Sequence, residues 1–188
     1  MKIILASQSK NRHDLLNLIN LKHIVVPSHI DEKEIQAPTP QKRAVKIAAT
    51  KADHIAKKET NALIIAADTF ILYRNKSLEK PTFKMDALEM LQSISGTSHI
   101  MLTGWCVINS KSKNKFSGFT ETRVYFRELD TQTLTDYVND HDVVQWAAGY
   151  SPQDTPAMKF IEKIEGSLTG FLYGLPLEKI LPIIEAEK

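Results

Sequence analysis

The sequence predicts an α/β fold, on three observations. Short apolar runs that suit buried strands are interspersed along the whole chain with segments whose apolar residues recur at helical spacing. Helix starts are marked by a hydroxyl followed by proline, or by proline itself, as at Thr39-Pro40 and Pro81-Thr82. Two long middle segments, "HIMLTGWCVI" and "FTETRVYFREL", read as strands joined by a polar turn. Interspersed strands and helices place the chain in the α/β class.

Ile3-Ile4-Leu5-Ala6 reads as the first strand, and Leu15, Leu16, Leu18 and Ile19 mark the helix after it. The polar stretch Ser7 to Arg12 between them is either a capped turn or an anion cradle, with Ser9 the candidate cap. "HIVVPS" predicts a short strand, followed by a polar loop around Asp31, Glu32 and Glu34. The helix from Pro40 continues to about Lys57, with proline at the first helical position where a missing N–H costs nothing. Ala62 to Ala67 reads as a buried strand that "FILY" either extends or pairs back on. Pro81-Thr82 predicts a further helix, with Ala87, Leu88, Leu91 and Ile94 on one face and Gly96 as a left-handed cap. In the second long strand Thr120, Thr122, Val124 and Phe126 alternate with Glu121, Arg123, Tyr125 and Arg127. Asp130 can cap a short helix through Tyr137 and Val138, and "MKFIEKIEG" and "PLEKILPIIEAEK" supply mixed late elements.

The 188 residues suffice for one sizeable domain, with room for two lobes around a cleft. A net charge of +2 is too small for a nucleic-acid-binding face, and Lys111, Lys113 and Lys115 lie among Ser and Asn as a solvated turn. The single cysteine, Cys106, excludes an internal disulfide and argues against a cysteine zinc site. No apolar run approaches the ~18 residues of a membrane span. Only four apolar residues follow Lys2, too few for a signal peptide, so the expectation is a cytoplasmic protein with no membrane partner.

Function is sought where residues break their local pattern. Lys51 lies in the middle of the stripe Ala44, Ile47, Ala48 and Ile55, either snorkelling to water or holding an anion. Asp68 is the one carboxylate in "ALIIAADTFIL". It either ends a strand with help from Thr69, or is a buried acid that needs a cation, a metal or a raised pKa. Arg12 sits three residues past the candidate cap Ser9, where a cation opposes the helix dipole and a bound anion would repair the conflict. Lys80 precedes a proline and can point back at a cleft. The histidines show no metal spacing, and His99 reads as a tolerated strand-start residue. The P-loop, the G-x-G-x-x-G fingerprint and the G-x-S-x-G elbow are all absent.

In this order the anomalies resemble the Maf family of nucleoside triphosphate pyrophosphatases along the whole chain, as a single Maf-like domain over 1–188. "LASQSKNRHDLL" is similar to that family's Leu-Ala-Ser-x-Ser-Pro-Arg-Arg-x-x-Leu-Leu. "IDE" at Ile30, "KA" at Lys51, "AADT" at Ala66, "KP" at Lys80 and "LQSISGTSHIMLTG" follow, then "TRVYFREL", "AAGYSPQ", "IEGS" and "GLPL". The resemblance implies an elongated mixed-sheet fold of the inosine triphosphatase type, with two lobes around a cleft and often a homodimer. It implies hydrolysis of a nucleoside triphosphate to a monophosphate and pyrophosphate with a divalent cation, usually Mg²⁺ with Mn²⁺ the alternative. It makes Asp68 the proton acceptor, and Glu32, with Asp68, a metal-holding acid. Ser7, Ser9, Arg12, Lys51 and Lys80 become phosphate contacts; whether Asp68 acts as base, ligand or both stays open.

The sequence departs from the family at Lys10 and Asn11, where Pro and Arg are usual, and at Asp154, where Gly is usual. In the branch resembling dTTP/UTP pyrophosphatases, the positions of Asn11, Thr69 and Gln153 tune base choice, and Thr69 and Gln153 agree with that branch. Asn11 carries no charge and reaches less far, and Lys10 is a candidate to supply the missing cation. The expectation is a house-cleaning enzyme for pyrimidine or modified triphosphates. The alternative is a nucleotide-binding regulator of the same fold with little turnover, acting in cell division. An RNA-binding role for the lysine turn is disfavoured by the near-neutral charge and the absence of interleaved aromatics.

Overall fold

Seven strands form one mixed sheet in the computed structural model, which describes residues 1–153 and 156–187. The strands are β1 (Lys2–Leu5), β2 (Ile24–Val25), β3 (Ala62–Tyr73), β4 (Lys76–Leu78), β5 (Ser98–Asn109), β6 (Lys115–Phe126) and β7 (Ile161–Glu165). The helices are α1 (Lys10–Leu18), α2 (Pro40–Ala56), α3 (Lys84–Ile94), α4 (Thr131–Asp140), α5 (Leu168–Tyr173) and α6 (Leu177–Ala186). The strand order is β2-β1-β3-β5-β6-β7, with β4 paired on β3. β1 runs parallel to β2 and β3, whereas β3–β4 and β6–β7 are antiparallel. The α/β class with a mixed sheet is therefore what the chain adopts. Among the described residues no helix is long and apolar enough to cross a membrane.

By its contacts the chain divides into two compact units. The first comprises Met1–Thr69, Thr103–Thr120 and the chain from Thr169; the second comprises Phe70–Leu102 and Glu121–Leu168.

In the first unit both sheet faces are covered, so its strands are buried on both sides. Ile3 and Leu5 of β1, Leu63, Ile65 and Ala67 of β3, and Trp105 and Val107 of β5 pack with Leu15 and Leu16 of α1 and Leu177, Ile180 and Ile184 of α6. The intervening residues Ile4, Ala62, Ile64, Ala66, Cys106 and Ile108 pack with Ala48, Ala52 and Ile55 of α2. Burial pushes the Cys106 thiol up to about 12, as suits a small core residue. Gly104 permits the close approach of α2, because a Cβ there would lie 2.2 Å from the Ala44 carbonyl carbon.

The predicted helix from Pro40 is observed, with the Thr39 hydroxyl accepting from the Lys42 N–H at 3.2 Å. "FILY" continues β3 rather than pairing back on it; β4 does that instead. The Glu187 carboxylate clamps the β5–β6 turn by accepting from the side-chain amides of Asn109 and Asn114. Lys115 at that turn pairs with Asp53 at 2.6 Å.

In the second unit α3 packs on α4 and on short 3-10 turns at Val143–Gln145 and Ala147–Gly149. α3 starts at Lys84, not at Pro81-Thr82. The Asp86 carboxylate reaches back to accept the N–H groups of Thr82 (2.9 Å) and Phe83 (3.1 Å), which places the helix start after them. Gly96 has the left-handed φ of +65° expected of it. His99 is more than a strand-start residue: it is buried, and its Nε2 lies 2.6 Å from the Tyr150 hydroxyl in a cluster with Phe126.

Candidate active site

The alternation of β3 decides where its first polar residues point. Even-numbered residues of its apolar run face α2 and odd-numbered ones face α1 and α6. Asp68 continues the first series and Thr69 the second, so two adjacent residues serve opposite faces of one strand. The apolar run ends there, and both meet cations presented by helices.

On the α2 face the cation is Lys51, which shares the buried stripe with Ala44, Ile47, Ala48, Ala52 and Ile55. Lys51 and Asp68 are each 7% exposed, and Lys51 Nζ donates to Asp68 Oδ1 at 2.9 Å. Lys51 Nζ also lies 2.9 Å from Glu32 Oε1 and 3.5 Å from the Ala67 carbonyl oxygen. The snorkelling alternative is thereby excluded: the ammonium is held by two carboxylates, one buried and one half-exposed. Glu32 belongs to the loop before α2. Arg43 of α2 pins that loop, its guanidinium donating to the carbonyls of Glu32 (3.2 Å) and Ile35 (2.9 Å). The other carboxylate oxygen of Asp68, Oδ2, is buried and has no hydrogen-bonding partner among the described residues.

On the α1 face the cation is Arg12, buried at 8% exposure. Its Nε donates to the Gly174 carbonyl at 2.9 Å, Nη1 to Ser7 Oγ at 3.1 Å and Nη2 to Thr69 Oγ1 at 3.2 Å. Ser7 Oγ also accepts from the Ser9 N–H at 3.1 Å, and Thr69 Oγ1 lies 3.2 Å from Thr103 Oγ1. Ser9 caps α1, its hydroxyl accepting from the Arg12 N–H at 3.5 Å. Burial pulls the Arg12 pKa below its ordinary value, while the charges of Asp68 and Glu32 oppose that pull. A bound anion is therefore not required to hold Arg12 at the helix start. The Gly174 carbonyl and these two acids offset part of its cost. Gly174 has φ +65°, and a Cβ there would lie 2.9 Å from Thr69 Oγ1.

Ser7, Ser9, Arg12 and Thr69 thus come together, as do Glu32, Lys51 and Asp68, all within the first unit. Asn11 is a partly buried residue of α1 beside Arg12. Lys10 is exposed, and its ammonium pairs with Asp14 one helical turn on. Lys80 and Gln153 belong to the second unit and are both exposed; the Gln153 N–H donates to Ser151 Oγ at 3.3 Å. Asp154 lies outside the described residues. Arg43 and Thr103 were given no role by sequence reasoning: nothing distinguishes an arginine on a polar helix face, and Thr103 lies in the quoted "LQSISGTSHIMLTG", a signal for the motif but not for its hydroxyl. Gly174 lies in the quoted "GLPL", a signal for the motif but not for its carbonyl.

Among the described residues no group of three or more His, Cys, Asp and Glu is placed to hold a metal ion. Two carboxylates share Lys51, and one of them keeps a buried oxygen without a partner. An oxygen-only pair of this kind fits a hard cation such as Mg²⁺, which takes one or two carboxylates and completes its shell with water and substrate phosphate. Chemically the arrangement offers a carboxylate backed by an ammonium, next to a cluster of N–H and O–H donors suited to an oxyanion.

The family described as Maf-like protein matches residues 2–187. The chain is similar to the dTTP/UTP pyrophosphatase of Syntrophus aciditrophicus (strain SB), at 33% identity over 98% of this chain and 89% of the relative. It is also similar to the dTTP/UTP pyrophosphatase of Pyrococcus furiosus, at 36% identity over 98% of this chain and 94% of the relative. Among solved structures, a nucleoside-triphosphatase / dITP/XTP pyrophosphatase from Mycobacterium abscessus aligns with a TM-score of 0.47 and 10% identity, over 99% of this chain and 97% of that one.

Proposed function

The chain belongs to the Maf-like protein family, and from that premise we propose that it hydrolyses nucleoside triphosphates to a monophosphate and pyrophosphate, with thymine and uracil nucleotides as its preferred substrates. The observation that carries this reading is Asp68, buried, with Oδ1 held by Lys51 and Oδ2 left without a partner. The names of the similar pyrophosphatases support the substrate class.

In this reading a water oxygen attacks the α-phosphorus, the bond to the α–β bridging oxygen breaks, and pyrophosphate leaves. Oδ2 of Asp68 accepts the water's proton, while the Lys51 bond fixes the carboxylate's orientation. Glu32 and Asp68 would hold a divalent cation, Mg²⁺ or Mn²⁺, which when bound polarises phosphate oxygens and neutralises developing charge. Arg12, with the hydroxyls of Ser7 and Thr69, binds oxygens of the substrate, and Ser9 shapes the turn that presents them. Asn11, Thr69 and Gln153 as base contacts and Lys80 as a phosphate contact carry those roles from the family resemblance. A cytoplasmic setting agrees with the single, buried cysteine.

The test is pyrophosphate release from dTTP, UTP, CTP, ATP and GTP, with Mg²⁺, with Mn²⁺ and with EDTA. The expected result is metal-dependent release, fastest with dTTP and UTP. Asp68→Asn should lower kcat by about 10²–10⁴-fold, the usual worth of a positioned base. Nucleotide binding without release from any of the five would overturn the enzymatic reading in favour of a regulatory one. An Asp68→Asn protein as fast as wild type would remove Asp68 from the mechanism.

A further inference from the structure

A hydroxyl carries one proton to donate and two lone pairs that accept. Thr103 is 1% exposed, and among the described residues its hydroxyl has one hydrogen-bonding partner, Thr69 Oγ1 at 3.2 Å. Were Thr103 to accept from Thr69, its own proton would be buried without a partner, an unfavourable state for a polar group. Thr103 therefore donates. Arg12 Nη2 can only donate, and it also reaches Thr69 Oγ1. Both lone pairs of the Thr69 oxygen are then occupied from within the protein, and its own proton has no acceptor among the described residues. Ser7 Oγ is in the same condition, since it accepts from the Ser9 N–H and from Arg12 Nη1.

We infer that Thr103 is a positioning residue for substrate choice: with Arg12 it fills the lone pairs of Thr69 and makes the Thr69 hydroxyl an obligate donor. Whatever meets Thr69 must accept. Under the base-contacting role of Thr69 proposed above, on which this inference rests, that atom is the C4 carbonyl oxygen of uracil or thymine, the position at which cytosine carries its exocyclic amino group. The exocyclic amino group of cytosine brings hydrogens to an oxygen whose lone pairs are taken. An unpolarised threonine would accommodate either by rotating its proton. Ser7, equally polarised, is suited to a phosphate oxygen.

The experiment measures the affinities of α,β-methylene UTP and α,β-methylene CTP, which resist hydrolysis, by calorimetry with Mg²⁺ on wild type, Thr103→Val, Thr103→Ser and Thr69→Val. The wild-type protein should favour the uracil analogue. Thr103→Val should reduce that preference about fivefold, the worth of one neutral hydrogen bond, and Thr103→Ser should restore it. Should the valine variant not fold, Thr103→Ala carries the same expectation. A valine variant with the wild-type preference, while Thr69→Val abolishes it, would overturn the role of Thr103. Equal affinities in wild type, or an unchanged preference in Thr69→Val, would overturn the inference together with the base-contacting role of Thr69. Absence of turnover on natural nucleotides would count only against the pyrophosphatase reading, because the affinities judge the hydroxyls independently.

Discussion

Replacing Lys51 by methionine removes a charge from the interior while keeping most of the side-chain volume. At the observed 2.9 Å, the attraction between Lys51 and Asp68 is about 6 kcal/mol for an effective dielectric of about 20. Desolvation of the two ions cancels much of it, so the gross figure is not the stability lost. The loss comes from leaving the Asp68 carboxylate buried without its cation, which typically costs about 3–5 kcal/mol. The charge of Arg12, which interacts with Asp68, places the expected cost near the lower end, about 3 kcal/mol. Glu32 adds little, because its side chain is 45% exposed and solvent screens it. Urea unfolding at neutral pH should therefore show a lower midpoint at an unchanged slope. Adding Asp68→Asn removes the stranded charge. The double variant should recover part of the loss, with a coupling of about 2 kcal/mol. A Lys51→Met protein within about 0.5 kcal/mol of wild type would refute the reasoning, since a change that small is typical of the surface. Strict additivity with Asp68→Asn would refute it too.

Gly174→Ala should destabilise by roughly 1–2 kcal/mol from its left-handed backbone alone. Because the new Cβ would lie 2.9 Å from Thr69 Oγ1 and 3.3 Å from Arg12 Nη2, nucleotide affinity should also fall. Thermal melts and nucleotide titrations that match wild type would contradict both expectations. Burial pushes the His99 pKa down to about 4, so the unfolded chain takes up this proton at higher pH than the folded one. The stability due to neutral, buried His99 is fully present above about pH 6.5 and is lost as pH falls through about 4, by about 3 kcal/mol in all. Urea midpoints from pH 7 to 4 should fall less steeply in His99→Gln; equal slopes would show that His99 does not drive the loss.

Much of the fold was legible because its signals are local. The hydroxyl and proline at Thr39-Pro40 start α2, and the stripe that contains Lys51 is the face it buries. The start of α3 was misplaced because proline is only one of two competing signals. The carboxylate of Asp86, three residues past Phe83, binds the N–H groups of Thr82 and Phe83 and wins. His99 gave no local sign of its role, since its partner Tyr150 is 51 positions away in sequence. Lys10 pairs with Asp14 one helical turn on, a contact that the i,i+4 spacing itself allows.

By itself the sequence determined that Lys51, Asp68 and Arg12 are misfits in their local patterns. Spacings of two along a strand and three or four around a helix are properties of a few consecutive residues. Only the tertiary structure decided what each misfit meets. Lys51 binds Asp68 from a helix 17 residues away, Arg12 reaches the carbonyl of Gly174 162 residues on, and Thr103 closes on Thr69 from a separate strand. Those pairings follow from how helices seat on the two faces of the sheet and from the need of every buried polar group for a partner. No local spacing encodes them.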